Sequence, residues 1–110
     1  MWRKSRSGGP SSCFGVDLNR NFDVGFNETV RDSCSSSYGG PTAFSEIETR
    51  TVVDLLSSNK DRVKAALFLH SFSQLWLSPY GVNADLPKDY KEMVGLGQIG
   101  SVIDAVEIRQ

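Results

Sequence analysis

The longest uninterrupted apolar run in this sequence, residues 65–69 (AALFL), limits the architectures open to the chain. It is far shorter than the roughly 18 residues that a bilayer-spanning helix needs, so we do not expect a membrane protein. The run lies between a charged cluster at 60–64 and the polar His70. A short apolar run with such boundaries is typical of a β-strand buried on both faces, in a sheet covered by helices.

The elements around this run predict an α/β order. Ser45 and Glu48 have the spacing of a capping box, in which each side chain satisfies a backbone amide at a helix start. Apolar residues then recur on one face and predict an amphipathic helix over 45–57. Residues 74–78 predict a second strand and 87–106 a second helix. Strands that alternate with helices indicate the α/β class.

Composition sets the size and excludes some partners. With 110 residues the chain has room for one small domain. Twelve Lys plus Arg against thirteen Asp plus Glu give a net charge of −1, and neither sign forms a block. We therefore expect no nucleic-acid partner and no polybasic membrane patch. The charged N-terminus shows no export signal.

The first half of the sequence has little periodicity. Residues 1–12 and 19–41 are rich in Ser, Gly and Pro and predict loops, while 13–17 predict a short strand or strand end. Cys13 and Cys34 lie 21 positions apart, a spacing that suits either one disulfide or two free thiols. Between them, Asn27 begins an Asn-Glu-Thr triplet, the acceptor motif for N-glycosylation.

Two places could carry chemistry on residue type alone. His70, the only histidine, directly follows the predicted strand, where ligands gather in open α/β sheets, although a lone histidine at a strand end is more often a structural residue. Asn19 and Arg20 could clamp a carboxylate, because the guanidinium and the amide both donate hydrogen bonds. Alternatively, Arg20 and an aspartate of the same segment, 16–23, form a salt-bridged turn. Ser71 and His70 are a poor nucleophile–base pair, since neighbouring side chains along a strand point to opposite faces.

Five blocks of this sequence resemble one enzyme family. They are WRKSR at 2–6, GVDLNRNFD at 15–23, GPTAFSEIET at 40–49, HSFSQL at 70–75 and PYG at 79–81. In this order and spacing they are similar to the zinc metallocarboxypeptidases of the pancreatic A/B type. The resemblance covers nearly the whole chain and fades after about residue 106. It implies a partial metallocarboxypeptidase fold, with a mixed central sheet and helices on both faces.

The resemblance also implies roles for particular residues. Arg3 matches the arginine that stabilises the oxyanion, and Asn19 with Arg20 matches the pair that holds the substrate's terminal carboxylate. His70 matches one of three zinc ligands, while Ser71 and Phe72 match two substrate subsites, the second usually tyrosine in this family. The peptide bonds before Phe72 and Tyr80 are cis in similar proteins.

The implied activity is zinc-dependent removal of the C-terminal residue from peptides or proteins. The resemblance further implies that Cys13 and Cys34 form a disulfide, and with it we expect a secreted, monomeric protein. A chain with one histidine contains no H-x-x-E zinc motif, and no residue matches the family's general-base glutamate. We therefore expect 1–110 to be part of a catalytic domain that is inactive alone. The alternative function is an inactive product that retains part of a carboxylate-binding surface.

Overall fold

Regular secondary structure occupies a small part of the chain. A computed structural model describes residues 2–8, 12–70, 75–80, 85–100 and 107–109, and it divides into two units, Met1–Ala66 and Leu67–Gln110. The elements are 3₁₀ helices at Leu18–Arg20 and Phe26–Glu28, α1 at Ile47–Ser58, β1 at Leu75–Leu77, α2 at Tyr90–Gly100 and β2 at Glu107–Arg109. Among the described residues, no helix has the length and apolar character needed to span a membrane.

The core of the first unit is small and largely polar. Within the described residues, its buried apolar side chains are Val16 and Phe26, and its buried polar side chains are Asp17, Asn21, Glu46 and Thr49. Because so little apolar surface is removed from water, hydrogen bonds and the covalent crosslink carry more of the organisation than in a larger domain. The predicted disulfide between Cys13 and Cys34 is formed, with the two Cα atoms 4.9 Å apart.

The predicted loop at 19–41 is confirmed in outline. Apart from the second 3₁₀ helix and the end of the first, it contains one isolated bridge within the described residues, between Val30 and Tyr38. The strand predicted at 13–17 is wrong. Gly15 has a left-handed backbone, with φ of 79°, and an extended strand cannot continue through that conformation.

Helix α1 confirms the predicted helix but not its predicted cap. Its N-cap residue is Glu46, whose side chain forms no capping hydrogen bond with the first turn. The Ser45 hydroxyl instead binds the Glu46 carboxylate at 3.0 Å and accepts from the Asn21 amide at 2.9 Å. The Glu46 amide donates to Asn21 Oδ1 at 3.1 Å. A distant asparagine therefore binds the backbone at the start of the helix, and Ser45 does not form the predicted cap.

The apolar face predicted for α1 is only partly covered. Val52 and Leu56 are half-buried, whereas Ile47 and Leu55 are 64% and 62% exposed. The fully buried position of the helix is Thr49, which contacts the Asn21 network. Two of the four residues of the predicted face are thus covered within the described residues, and the buried position, Thr49, was not among the four.

The strand predicted at 65–69 is wrong. These residues belong to no strand and all five are exposed, with Leu67, Phe68 and Leu69 at 67%, 65% and 90%. A strand exists only where a neighbouring backbone satisfies its amides and carbonyls. None of the described residues pairs with this run.

The second unit contains the other two predicted elements. β1 confirms the second predicted strand and pairs in parallel with β2, Leu75 opposite Glu107 and Leu77 opposite Arg109. α2 confirms the second helix over shorter bounds, and residues 101–106 of that prediction lie outside the described residues. Gly97 is buried and lies close to Trp76. A Cβ at this position would lie 2.6 Å from the indole ring, so the close approach requires glycine. The Pro79–Tyr80 peptide bond is cis, as the resemblance implied.

Candidate functional site

The N-terminal segment is held along residues 15–17. The Ser5 amide donates to the Val16 carbonyl at 2.8 Å, and the Gly15 amide donates to the Ser7 carbonyl at 3.0 Å. A Cβ at Gly15 would overlap the Ser5 carbonyl, so only glycine permits this close approach. The Ser5 hydroxyl adds contacts to the Val16 amide at 2.9 Å and the Glu46 carboxylate at 3.1 Å. These bonds place Arg3 beside Asp17.

Asp17 connects two of the segments that the sequence singled out. Its carboxylate is 3% exposed and accepts a hydrogen bond of 2.7 Å from Arg3 Nε. The same side chain accepts from the Asn19 amide at 3.3 Å and so caps the first 3₁₀ helix. One buried carboxylate therefore fixes both the Arg3 guanidinium and the turn that carries Asn19 and Arg20.

The Arg3 side chain is oriented but not enclosed. It is 42% exposed, and its contact with Asp17 uses Nε alone. Neither terminal nitrogen takes part in a hydrogen bond within the part of the chain that the structure describes. Within the described residues, the salt-bridged turn considered for Arg20 does not form, and Asp17 instead pairs with Arg3, fourteen positions away. A guanidinium held at Nε presents its outer edge to an anion.

Asn19 and Arg20 lie on the exposed surface of the capped turn. The backbone beneath them is fixed, because the Arg20 amide donates to the Asp17 carbonyl at 2.9 Å and the Asn21 amide donates to Leu18 at 3.1 Å. Within the described residues, neither side chain forms a hydrogen bond. Their donors are therefore available to a ligand.

Asn21 anchors this turn to the rest of the unit, a role that the sequence did not reveal. It is fully buried. Its Nδ2 donates to Gly39 O at 2.7 Å, Thr42 O at 3.1 Å and Ser45 Oγ at 2.9 Å, and its Oδ1 accepts from Glu46 N at 3.1 Å and Thr49 Oγ1 at 2.7 Å. A side chain bonded this fully is a structural residue, and it connects the turn to helix α1.

The sequence interpretation did not assign Asp17 to the candidate site, although its carboxylate contacts both Arg3 and the Asn19 backbone amide. An aspartate two positions before Asn19 is a recognised turn and cap signal, since the carboxylate accepts from the amide two residues on. That signal could have identified the cap. The contact with Arg3 could not be found in this way, because it joins segments that no local pattern relates.

The remaining candidate residues lie in the second unit or outside the described residues. His70 is exposed and belongs to the second unit. Ser71 and Phe72, with the peptide bond between them, lie outside the described residues. The structure therefore brings together Arg3, Asn19 and Arg20 through Asp17, and it describes His70 separately.

The described residues do not fit a complete zinc site. They contain no group of three or more His, Cys, Asp or Glu side chains that could hold a metal ion. His70 is the only histidine of the chain, and both cysteines are bonded to each other. Catalytic zinc takes three protein ligands, so these residues alone supply too few.

Comparison with known proteins shows which protein family this chain is similar to. Residues 1–102 match the family model described as zinc carboxypeptidase. The chain is 40% identical over 104 residues to mast cell carboxypeptidase A of Rattus norvegicus, covering 92% of this chain and 25% of that protein. It is 44% identical over 99 residues to carboxypeptidase B of the same species, covering 87% and 24%. The chain thus spans about a quarter of the length of these curated relatives.

The backbone agrees with the sequence match. The crystal structure of carboxypeptidase A from Helicoverpa armigera superposes with a TM-score of 0.83 at 30% identity, over 97% of this chain and 29% of that one. The expected α/β carboxypeptidase fold is thereby confirmed, although the sheet within the described residues has two strands. With the family model matching almost the whole sequence, the chain belongs to the zinc carboxypeptidase family.

Proposed function

We propose that this chain is the carboxylate-binding part of a metallocarboxypeptidase catalytic domain, which removes the C-terminal residue of peptides or proteins. Asn19 and Arg20 bind the substrate's terminal carboxylate, and Arg3 stabilises the oxyanion that develops at the scissile carbonyl. The observation that supports this proposal is the shared anchor. Buried Asp17 binds Arg3 at 2.7 Å and caps the turn that carries the other two residues.

The two exposed donors on the turn account for exopeptidase selectivity. A carboxylate accepts charge-assisted hydrogen bonds from Arg20, each contributing about 1.5–3 kcal/mol, and a further neutral one from the Asn19 amide. A peptide that continues beyond this point has a neutral amide there, which cannot form the charged contact. The site therefore selects chain ends.

Arg3 has the features that oxyanion stabilisation requires. A donor helps most when it is already oriented before charge develops, because no reorganisation is then needed during the reaction. The Asp17 contact provides that orientation, and the exposed terminal nitrogens of Arg3 remain available. Asp17 is thus a positioning residue, since it acts through Arg3 and the turn.

The zinc chemistry of the family would need ligands beyond those in the described residues. We propose His70 as one ligand, on the resemblance of its segment, and Ser71 and Phe72 as substrate-subsite residues on the same basis. A single histidine does not constitute a metal site. The roles proposed above for the two arginines and Asn19 rest on the resemblance of their segments and on the Asp17 contacts that hold Arg3 and the turn.

The small number of zinc-binding side chains among the described residues favours a second candidate function for the isolated chain. In it, the 110 residues form an inactive product that keeps the carboxylate-binding surface around Arg20. The supporting observation is that the described residues contain no set of three metal-binding side chains. The two candidates share one surface and differ in turnover. For either, we propose extracellular location, which the Cys13–Cys34 disulfide supports.

A chimera tests the proposed enzyme function. This chain replaces its matched segment in rat carboxypeptidase B, so that the relative supplies the rest of the domain. We expect release of C-terminal residues, and Arg20→Ala should lower kcat/KM by roughly 10- to 100-fold through loss of the charged contact. Arg62→Ala is the matched control, because that arginine is exposed and lies outside the proposed site. A folded chimera whose kcat/KM is insensitive to Arg20→Ala contradicts the assignment.

A further inference from the structure

One exposed turn carries a motif that the carboxylate site does not use. Asn27-Glu28-Thr29 is the only Asn-x-Ser/Thr triplet in the 110 residues. We propose that Asn27 is an N-glycosylation site, occupied by an oligosaccharide linked through its side-chain amide. The proposal goes beyond peptide hydrolysis and requires only that the chain reaches the secretory pathway.

The second 3₁₀ helix places this asparagine on the outside of the first unit. Phe26 faces inward and is 9% exposed, while Asn27 and Glu28 are exposed. The turn is fixed by the Glu28 amide donating to Gly25 O at 3.0 Å and the Thr29 amide donating to Phe26 O at 3.1 Å. A glycan on this turn therefore extends into solvent without displacing the buried phenylalanine.

The amide of Asn27 is chemically available. No hydrogen bond among the described residues uses its side chain, in contrast to Asn21, whose amide has five contacts and no exposed surface. The Thr29 hydroxyl is half-buried and donates to Phe26 O at 2.8 Å. That bond tightens the folded turn. Transfer of the glycan before this turn closes leaves the hydroxyl free for recognition of the acceptor triplet.

The reaction is a glycosyl transfer from a lipid-linked diphosphate oligosaccharide, catalysed by an oligosaccharyltransferase. A bond forms between Asn27 Nδ2 and C1 of the innermost sugar, while the bond from that C1 to the diphosphate oxygen breaks. Nδ2 gives up one of its two protons to water, and the lipid diphosphate departs with the electron pair of the broken C1–O bond. No oxidation or reduction takes place.

The surroundings of Asn27 give the glycan a physical consequence. Val24 and Val30 lie three positions before and after it and are 70% and 43% exposed. Three residues of chain extend at most about 10 Å, so both side chains are within reach of the first sugars. A glycan at Asn27 should therefore cover part of both side chains.

The test uses the full chain behind a cleavable leader in insect cells, since the leader supplies translocation. Wild type, Asn27→Gln and Thr29→Ser are compared, the last as a matched control that keeps the acceptor motif. Treatment with peptide N-glycosidase should lower the apparent mass of wild type and Thr29→Ser on gel electrophoresis. Mass spectrometry of their proteolytic digests should show asparagine converted to aspartate at position 27. Asn27→Gln should show neither change.

Leader removal, determined by N-terminal sequencing of the same protein, shows that a molecule reached the secretory pathway. Leader-free wild type that the glycosidase leaves unchanged overturns the proposal, as does a mobility shift that persists in Asn27→Gln. The glycosidase should also act without denaturant, because the turn is exposed. Release only after denaturation contradicts the outward placement of the glycan.

Discussion

Replacing Asn21 by alanine should uncouple the site turn from helix α1. The side chain is fully buried and satisfies two buried backbone groups, the Gly39 carbonyl at 2.7 Å and the Glu46 amide at 3.1 Å. Alanine leaves both without these partners. An unsatisfied buried group costs roughly 1–3 kcal/mol, so the two together cost roughly 2–6 kcal/mol. The whole stability of a domain is about 5–15 kcal/mol.

Hydrogen exchange at the Glu46 amide, followed by two-dimensional NMR on the disulfide-bonded chain, measures this loss locally. A cost of 2 kcal/mol or more corresponds to exchange at least about 25-fold faster. Asn27→Ala in bacterially produced protein is the matched control, because Asn27 is exposed and should change stability by less than about 0.5 kcal/mol. Equal exchange at Glu46 in both variants would refute the structural role assigned to Asn21.

Three further outcomes are expected. Non-reduced digests of exported protein should contain the Cys13 and Cys34 peptides joined by the disulfide. Reducing this bond should lower the free energy of unfolding by about 3 kcal/mol. Free thiols at both positions would contradict the structural role of the disulfide. Because residues 65–69 are exposed and apolar, the recombinant chain should be poorly soluble and should bind a hydrophobic dye. The Leu69→Lys variant should be more soluble. A sharp melting transition in a monomeric wild-type sample would contradict this prediction. The isolated chain should release no C-terminal residues from a peptide panel even with added zinc, and chelator-sensitive turnover abolished by His70→Ala would show that it is active alone.

The sequence predicted elements best where the signal is local. α1, β1 and α2 each follow from a short apolar pattern with clear boundaries, and all three form. The run at 65–69 has an equally clear pattern but forms no strand within the described residues. Apolar pattern reports what a segment would bury, whereas a strand also needs a partner backbone, which the pattern does not contain.

The site shows the same division between local and distant information. The exposed positions of Asn19 and Arg20 agree with their motif, and the cap by Asp17 is a two-residue contact that aspartate commonly makes. The Arg3 contact spans fourteen positions and the Asn21 contact with Glu46 spans twenty-five. Neither follows from spacing, because tertiary packing decided which acceptor met which donor. The same packing left Ser45 without its predicted capping role.

Binding of a free carboxylate at the Asn19–Arg20 turn is the most direct test of the proposed function. The isotopically labelled chain carrying Leu69→Lys, the variant expected to be more soluble, is titrated with N-acetylphenylalanine and, separately, with its neutral amide, and backbone shifts are followed by NMR. We predict that the acid alone shifts the Asn19 and Arg20 amides, with a dissociation constant on the order of 10 mM for one charge-assisted contact. Arg20→Ala should abolish the difference between the two ligands. Identical shifts with acid and amide, or selectivity that survives Arg20→Ala, would contradict the claim that this turn binds peptide C-termini.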